Sequence, residues 1–197
     1  MQEIFYEESV LTQNTGSAKT KYYIIKTWSV ISYVIAALWG IIMLFTFPFG
    51  EGNIWLNILF VLIPFALFLA SGIVAGKFKD RFYVDYDYTF VSGSIRFSKV
   101  INNVKRRNIL IFEVQAIEKI GRYGSATYER YSVMPDKKKM ILTSNETPVE
   151  GKDFYYMAVN TGGQRYLLLI ECTETFLHNI LRFSNRTVFD DEFFKKQ

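Results

Sequence analysis

The chain has 197 residues, 50% of them hydrophobic, a net charge of +4 and one cysteine. This length suits one domain plus a membrane segment. The mild, scattered positive charge argues against nucleic acid as a partner, and a lone Cys172 excludes an intramolecular disulfide.

Residues 1–21 read as a polar N-terminal tail, in which Asn14-Thr15-Gly16-Ser17 has linker composition. Residues 27–50 and 52–76 then carry no charged side chain, and only Glu51 separates them. Each run exceeds the roughly 20 residues that cross a hydrocarbon core of about 30 Å. The first begins too late and runs too long for the apolar region of a signal peptide. The expectation is a transmembrane helical hairpin over 22–78, with helices at about 22–47 and 54–76 and a turn of breakers around Pro48, Gly50 and Gly52. Trp28, Tyr33 and Trp55 suit interfacial anchors, whereas Trp39 lies deeper. Lys19, Lys21 and Lys26 precede the hairpin and Lys77, Lys79 and Arg81 follow it, while the turn has no cation. The positive-inside rule therefore predicts a multi-pass protein of the cell membrane with both termini in the cytoplasm. Gly72 and Gly76 form a G-x-x-x-G that lets backbones approach closely. Packing against the first helix is the preferred reading, and a homodimer interface is the other.

From Phe82 to Phe90 the period changes to two, which marks an amphipathic strand. Ser92-Gly93 turns the chain into a second strand at Ile95 and Phe97. Residues 108–114, 140–143, 154–159 and 165–170 follow as further strands, the last two joined by Thr161-Gly162-Gly163-Gln164. Phe176, Leu177, Ile180, Leu181 and Phe183 share one face of a final helix, for which Thr173 is the N-cap. The expected soluble part is a mainly β (α+β) domain over 79–184, an antiparallel sheet with a C-terminal helix, able to fold alone from about Lys79. Residues 185–197 are a C-terminal tail.

A family is recognisable in these residues. Val84-Asp85-Tyr86-Asp87-Tyr88-Thr89-Phe90-Val91-Ser92-Gly93-Ser94-Ile95, followed by Lys105-Arg106-Arg107-Asn108, resembles a family of two-helix membrane proteins of clostridia-like bacteria with a domain of unknown function. Members tend to read Y-x-Y-x-F-x-x-G-x-L, then a basic turn, then a hydrophobic strand. Glu7-Glu8-Ser9-Val10 and residues 166–183 fit as well, although Cys172-Thr173 stands where a proline-led helix start is expected. The resemblance covers nearly the whole chain and concerns fold, not chemistry. The soluble part in turn resembles bacterial PH-like domains, which implies a bent antiparallel sheet closed by a C-terminal helix and tethered to a membrane.

Candidate chemistry is sparse. Asp85-x-Asp87 could place two carboxylates on one strand face, but alternation alone explains the pair. His178 falls on the polar side of the last helix, and without a second histidine a His-based zinc site is largely excluded. Cys172 ends a hydrophobic strand and reads as a buried structural thiol. Residues 121–125 bear glycine without phosphate-loop spacing and read as a loop. No catalytic group, metal or cofactor is expected. What remains is basic: Lys105, Arg106 and Arg107 with Lys99 nearby, and Lys137, Lys138 and Lys139 in another loop. Near a membrane each such cation contributes roughly 1 kcal/mol of attraction to anionic headgroups. The expected function is a membrane-anchored, non-enzymatic cytoplasmic module that binds or scaffolds a protein, a peptide or an anionic lipid headgroup. The alternative is a component of a membrane enzyme or transport complex, against which stands the lack of ionisable residues inside the helices.

Overall fold

The computed structural model describes residues 4–47, 53–184 and 186–190. The expected turn at 48–52 and most of the expected C-terminal tail, 185 and 191–197, lie outside the described residues. The chain forms two compact units, residues 14–83 and residues 1–13 with 84–197.

The helical unit contains α1 (Thr15–Thr46), α2 (Ile54–Phe78) and a 3-10 turn, Lys79–Arg81. α1 begins seven residues before the expected boundary of 22. Hydropathy marks where a helix becomes apolar, and Lys19 and Lys21 are good helix formers that do not interrupt it. Small residues bring the two helices together. A Cβ on Gly72 would lie 2.9 Å from the Tyr33 ring, and one on Gly76 would lie 3.3 Å from Ser29 Oγ. Ser29 Oγ donates to the Gly72 carbonyl at 2.8 Å, and Trp39 Nε1 donates to the Val61 carbonyl at 3.1 Å. Both polar groups are thereby satisfied without water. The outward faces are apolar: Leu44, Phe45, Trp55, Phe60 and Leu67 are exposed. Both helices are long and apolar enough to cross a membrane.

The second unit begins before the helices. Phe5–Val10, expected as tail, forms strand β1, and it pairs antiparallel with β2 (Val84–Val91). β3 (Ser94–Ile101) and β4 (Lys105–Glu113) complete an antiparallel sheet in the order β1-β2-β3-β4. β1 escaped the periodicity reading because Glu8 points inward with Val10, where an apolar residue is expected. A segment starting at Lys79 would therefore lack the first strand of this sheet.

The other sheet has the order β5-β7-β8-β6, from β5 (Ile117–Arg122), β6 (Lys137–Ile141), β7 (Asp153–Thr161) and β8 (Gln164–Cys172). β6 runs parallel to β8 because α3 (Ala126–Val133) carries the chain over this sheet. Lys137–Lys139 are thus strand and not loop. Residues 121–125 are divided between β5, a turn and the Ser125 N-cap of α3, whose Oγ accepts from Tyr128 N. Two tight hairpins rest on left-handed backbone. Ser92 and Gly93 have φ of 47° and 100°, and Gly162 and Gly163 have 59° and 74°, the mirror-image turns that match strand twist.

The core lies between the inner faces of the two sheets. Tyr88, Phe90, Ile95, Phe97, Met157, Leu168 and Ile170 are fully buried there. α4 (Glu174–Phe183) closes it with Phe176, Leu177 and Ile180 from the predicted face, and Thr173 Oγ1 caps Phe176 N. Phe189, expected in the polar tail, is also in this core, bridged to Ile120. The α+β fold class with a C-terminal helix holds, in two sheets with one parallel pair.

Candidate functional site

The β3–β4 hairpin is an exposed basic element. Its turn, Asn102-Asn103-Val104, uses φ of 51° and 55° at the two asparagines, a conformation Asn tolerates better than most residues. Val104 is 85% exposed. In the register Lys99 faces Arg107, Val100 faces Arg106 and Ile101 faces Lys105. Directly paired residues share a face, as do alternate residues along a strand. Lys99, Lys105 and Arg107 therefore lie on one face and Arg106 on the other.

Arg106 is occupied. Its guanidinium is 2.6 Å from Asp87 Oδ2 and 3.4 Å from Glu7 Oε1, so it spans the sheet to β2 and β1. Asp87 is 7% exposed and also accepts from Ser9 Oγ at 2.6 Å. Asp85 Oδ1 accepts from the Thr12 backbone N–H at 2.7 Å. Both carboxylates of the Asp85-x-Asp87 pattern are thus used to hold β1 and the residues after it. Among the described residues, no group of three or more His, Cys, Asp or Glu is placed to hold a metal.

The second basic run is arranged differently. The Lys137 side chain is 2% exposed; its Nζ lies 3.5 Å from the Tyr131 ring centroid and 3.7 Å from Glu118 Oε2. Burial lowers the Lys137 amine below the usual lysine range, with Glu118 opposing. Glu118 also meets Arg165 Nε at 3.2 Å, and Arg165 reaches Asp136 at 2.8 Å. Lys138 and Lys139 are exposed on β6 at the edge of the sheet. Lysines at a sheet edge oppose edge-to-edge association. The two runs belong to different sheets, so the fold does not join them in one strand pair.

The remaining candidates are structural. Cys172 is fully buried and burial pushes its thiol well above the ordinary range, which makes it inert. His178 sits on the exposed side of α4. Glu171 is fully buried and accepts from Thr143 Oγ1, from Asn145 Nδ2 at 2.9 Å and from Val149 N at 2.8 Å. Glu8 pairs with Lys152 Nζ at 2.8 Å and accepts from Thr173 N at 3.0 Å and Thr173 Oγ1 at 2.9 Å. An open cleft of about 540 Å³ lies beside this pair, lined by residues that include Lys152, Asp153, Thr173 and Glu174. Sequence reading missed the Glu8–Lys152 pair, because its partners stand more than 140 positions apart.

The family model described as Bacterial PH-like domain (DUF6106) matches residues 2–190, a span that takes in both helices and every strand from β1 to β8. This chain belongs to that family. No curated protein and no solved structure matches it. The unit of residues 1–13 and 84–197 is referred to below as the PH-like unit.

Proposed function

We propose that this chain is a membrane-anchored, non-enzymatic binding module, whose PH-like unit engages anionic lipid headgroups through the face bearing Lys99, Lys105 and Arg107. The carrying observation is the β3–β4 register, which gathers these three cations on one face while Arg106 is drawn to the other by Asp87. Two further features support the reading. The two helices are long and apolar enough for a bilayer, and the cations flank the hairpin at both outer ends, which favours cytoplasmic termini and a cytoplasmic PH-like unit. Each cation near an anionic surface contributes roughly 1 kcal/mol, reduced by screening at physiological salt.

The full chain in nanodiscs tests this. Acylation of Lys99 and Lys105 by a water-soluble amine reagent should slow when phosphatidylserine or cardiolipin replaces part of the phosphatidylcholine, and high salt should restore the rate. Equal rates in neutral and anionic discs would remove the lipid reading. Topology is tested separately in cells. A cysteine at Asn53 should react with an impermeant thiol reagent from outside, and one at Asp136 should not.

A further inference from the structure

We propose that the helical unit carries a lipid site of its own, in which the cations at the open end of the hairpin hold the phosphate of an anionic phospholipid. Lys19, Lys21 and Lys26 stand at this end on α1, and Lys77, Lys79 and Arg81 at the end of α2 and in the turn after it. The acidic residues within 14–83 are Asp80 and Glu51, and Glu51 belongs to the segment that joins the helices at the far end. Six cations thus share the open end with one carboxylate. Among the described residues none of the six forms an ion pair, whereas in the PH-like unit Arg106, Arg122, Lys137, Lys152 and Arg165 all do. Three rest against rings instead. Lys19 Nζ lies 5.5 Å from the Tyr83 ring centroid, Lys26 Nζ 6.0 Å from that of Tyr23, and Arg81 Cζ 4.6 Å from that of Phe78. A ring face attracts a cation without occupying its N–H donors as a carboxylate does, so those donors stay available to phosphate oxygens.

Packing fixes where these cations stand. Ala18, Tyr22 and Tyr83 are buried together, and the close approach of Gly76 to Ser29 holds the two helices side by side just beyond. Lys19 and Lys26 are seven residues apart, so they share a face of α1 about 10 Å apart along its axis. Lys26 directly precedes the charge-free run of α1 and Lys77 directly follows that of α2, which in a bilayer puts both at headgroup depth. The apolar half of the ligand is matched as well. Ile24, Ile73, Val74 and Phe78 are exposed near this end of the helices. A phospholipid meets both surfaces, its phosphate the cations and its acyl chains the apolar faces, whereas a soluble phosphate would meet the charges alone. The inference rests on the membrane-anchored reading and is independent of the β3–β4 face, because no residue of the PH-like unit enters it.

The experiment titrates the delipidated full chain in mild detergent with phosphatidylglycerol and, separately, with phosphatidylcholine, and reads binding by native mass spectrometry. Phosphatidylglycerol should bind about tenfold more tightly, since several cations act on one phosphate. Lys19→Gln with Lys26→Gln, Lys79→Gln and Arg81→Gln should bring the two lipids within about twofold of each other. Lys19→Arg with Lys26→Arg and Lys79→Arg should keep the preference, which separates loss of charge from loss of packing. Lys105→Gln with Arg107→Gln should leave it unchanged. The inference is overturned if wild type binds the two lipids equally, if the charge-keeping variant loses the preference as fully as the neutral one, or if the Lys105/Arg107 variant abolishes it. It is overturned too if inorganic phosphate competes as well as phosphatidylglycerol does, which would make the ligand a soluble anion. Alkaline carbonate extraction of membranes bearing the wild type reports anchoring by itself, so failure of that reading is separately visible.

Discussion

Lys105-Arg106-Arg107 opens an antiparallel strand, β4, whereas Lys137-Lys138-Lys139 opens β6, an edge strand parallel to its neighbour. In the first run the middle cation is drawn into an ion pair with a buried carboxylate, and its neighbours stay exposed. In the second the first cation is buried against Tyr131 and Glu118, and the other two stay exposed. Composition is nearly the same in both. The difference arises from what each face of the strand meets: a polar outer face crossing to Glu7 and Asp87 in one sheet, and a helix, α3, lying on the other. A cluster of cations thus has no meaning for binding until the paired ones are subtracted.

The largest expected effect concerns the platform on which both runs sit. A protein in which residues 14–83 are replaced by a short Asn-Gly turn should fold cooperatively, because Thr12 and Val84 are already bonded neighbours at that end of β1 and β2. The same protein without residues 1–13 should lose its cooperative urea transition, since removing Glu8 and Val10 leaves Lys152 and the core uncovered. Equal transitions for the two would show that β1 contributes nothing.

On that platform Lys137→Ala should cost about 1–2 kcal/mol, chiefly through lost packing of its buried side chain against Tyr131, because Glu118 keeps Arg165 as a partner. Lys138→Ala with Lys139→Ala should stay within about 0.5 kcal/mol, as exposed substitutions do. Similar values from chemical unfolding would erase the distinction between buried and edge lysines.

Arg106→Ala should cost about 1–2 kcal/mol, because it leaves the Asp87 carboxylate with Ser9 as its hydroxyl donor in a largely buried site. A double-mutant cycle with Asp87→Asn should return a coupling of about 1 kcal/mol. Zero coupling would mean that Arg106 is a free surface cation like Lys105. By contrast, Lys105→Gln with Arg107→Gln should leave stability within about 0.5 kcal/mol and lower binding to phosphatidylserine vesicles severalfold. Unchanged binding would move the site elsewhere.

The smallest effect is a pH dependence. Burial depresses the Lys137 amine, so the folded protein binds that proton less tightly than the unfolded chain does. Stability from this group therefore rises with pH between its folded value and the ordinary lysine value near 10.5. Burial acts oppositely on Tyr155, whose phenol is pushed up to about 12. That contribution is complete below about 10, the usual tyrosine value, and is lost as pH climbs through 12. The difference between wild type and Lys137→Met, followed as pH rises towards 10.5, isolates the lysine. A flat difference would place Lys137 in water.

Much of the fold was legible from residues. The charge-free runs around Ala36 and Phe65 mark the two helices, the alternation from Val84 to Phe90 marks β2, and Thr173 with Phe176, Leu177 and Ile180 marks α4. β1, β5 and α3 were not legible. Glu8 breaks the apolar alternation of β1, and the eight residues of α3 carry a weakly amphipathic mixture whose Tyr128 and Tyr131 pack only partly against Tyr156. Of the candidate site, the seven cations were visible as two runs, but not that Arg106 and Lys137 are committed to carboxylates.

The physical reason is one of range. Hydropathy, period and turn chemistry act between residues a few positions apart, so sequence by itself determined the apolar hairpin, the Ser92-Gly93 and Gly162-Gly163 turns and the cap of the last helix. Pairing across long separations depends on which strand becomes whose neighbour. Only the tertiary structure decided that Glu8 would meet Lys152, that Arg106 would cross the sheet to Asp87 and Glu7, and that Phe189 would return to Ile120. Each of those contacts exists because burial of the two sheets' inner faces brings distant backbone together, and the polar groups carried along must then find partners.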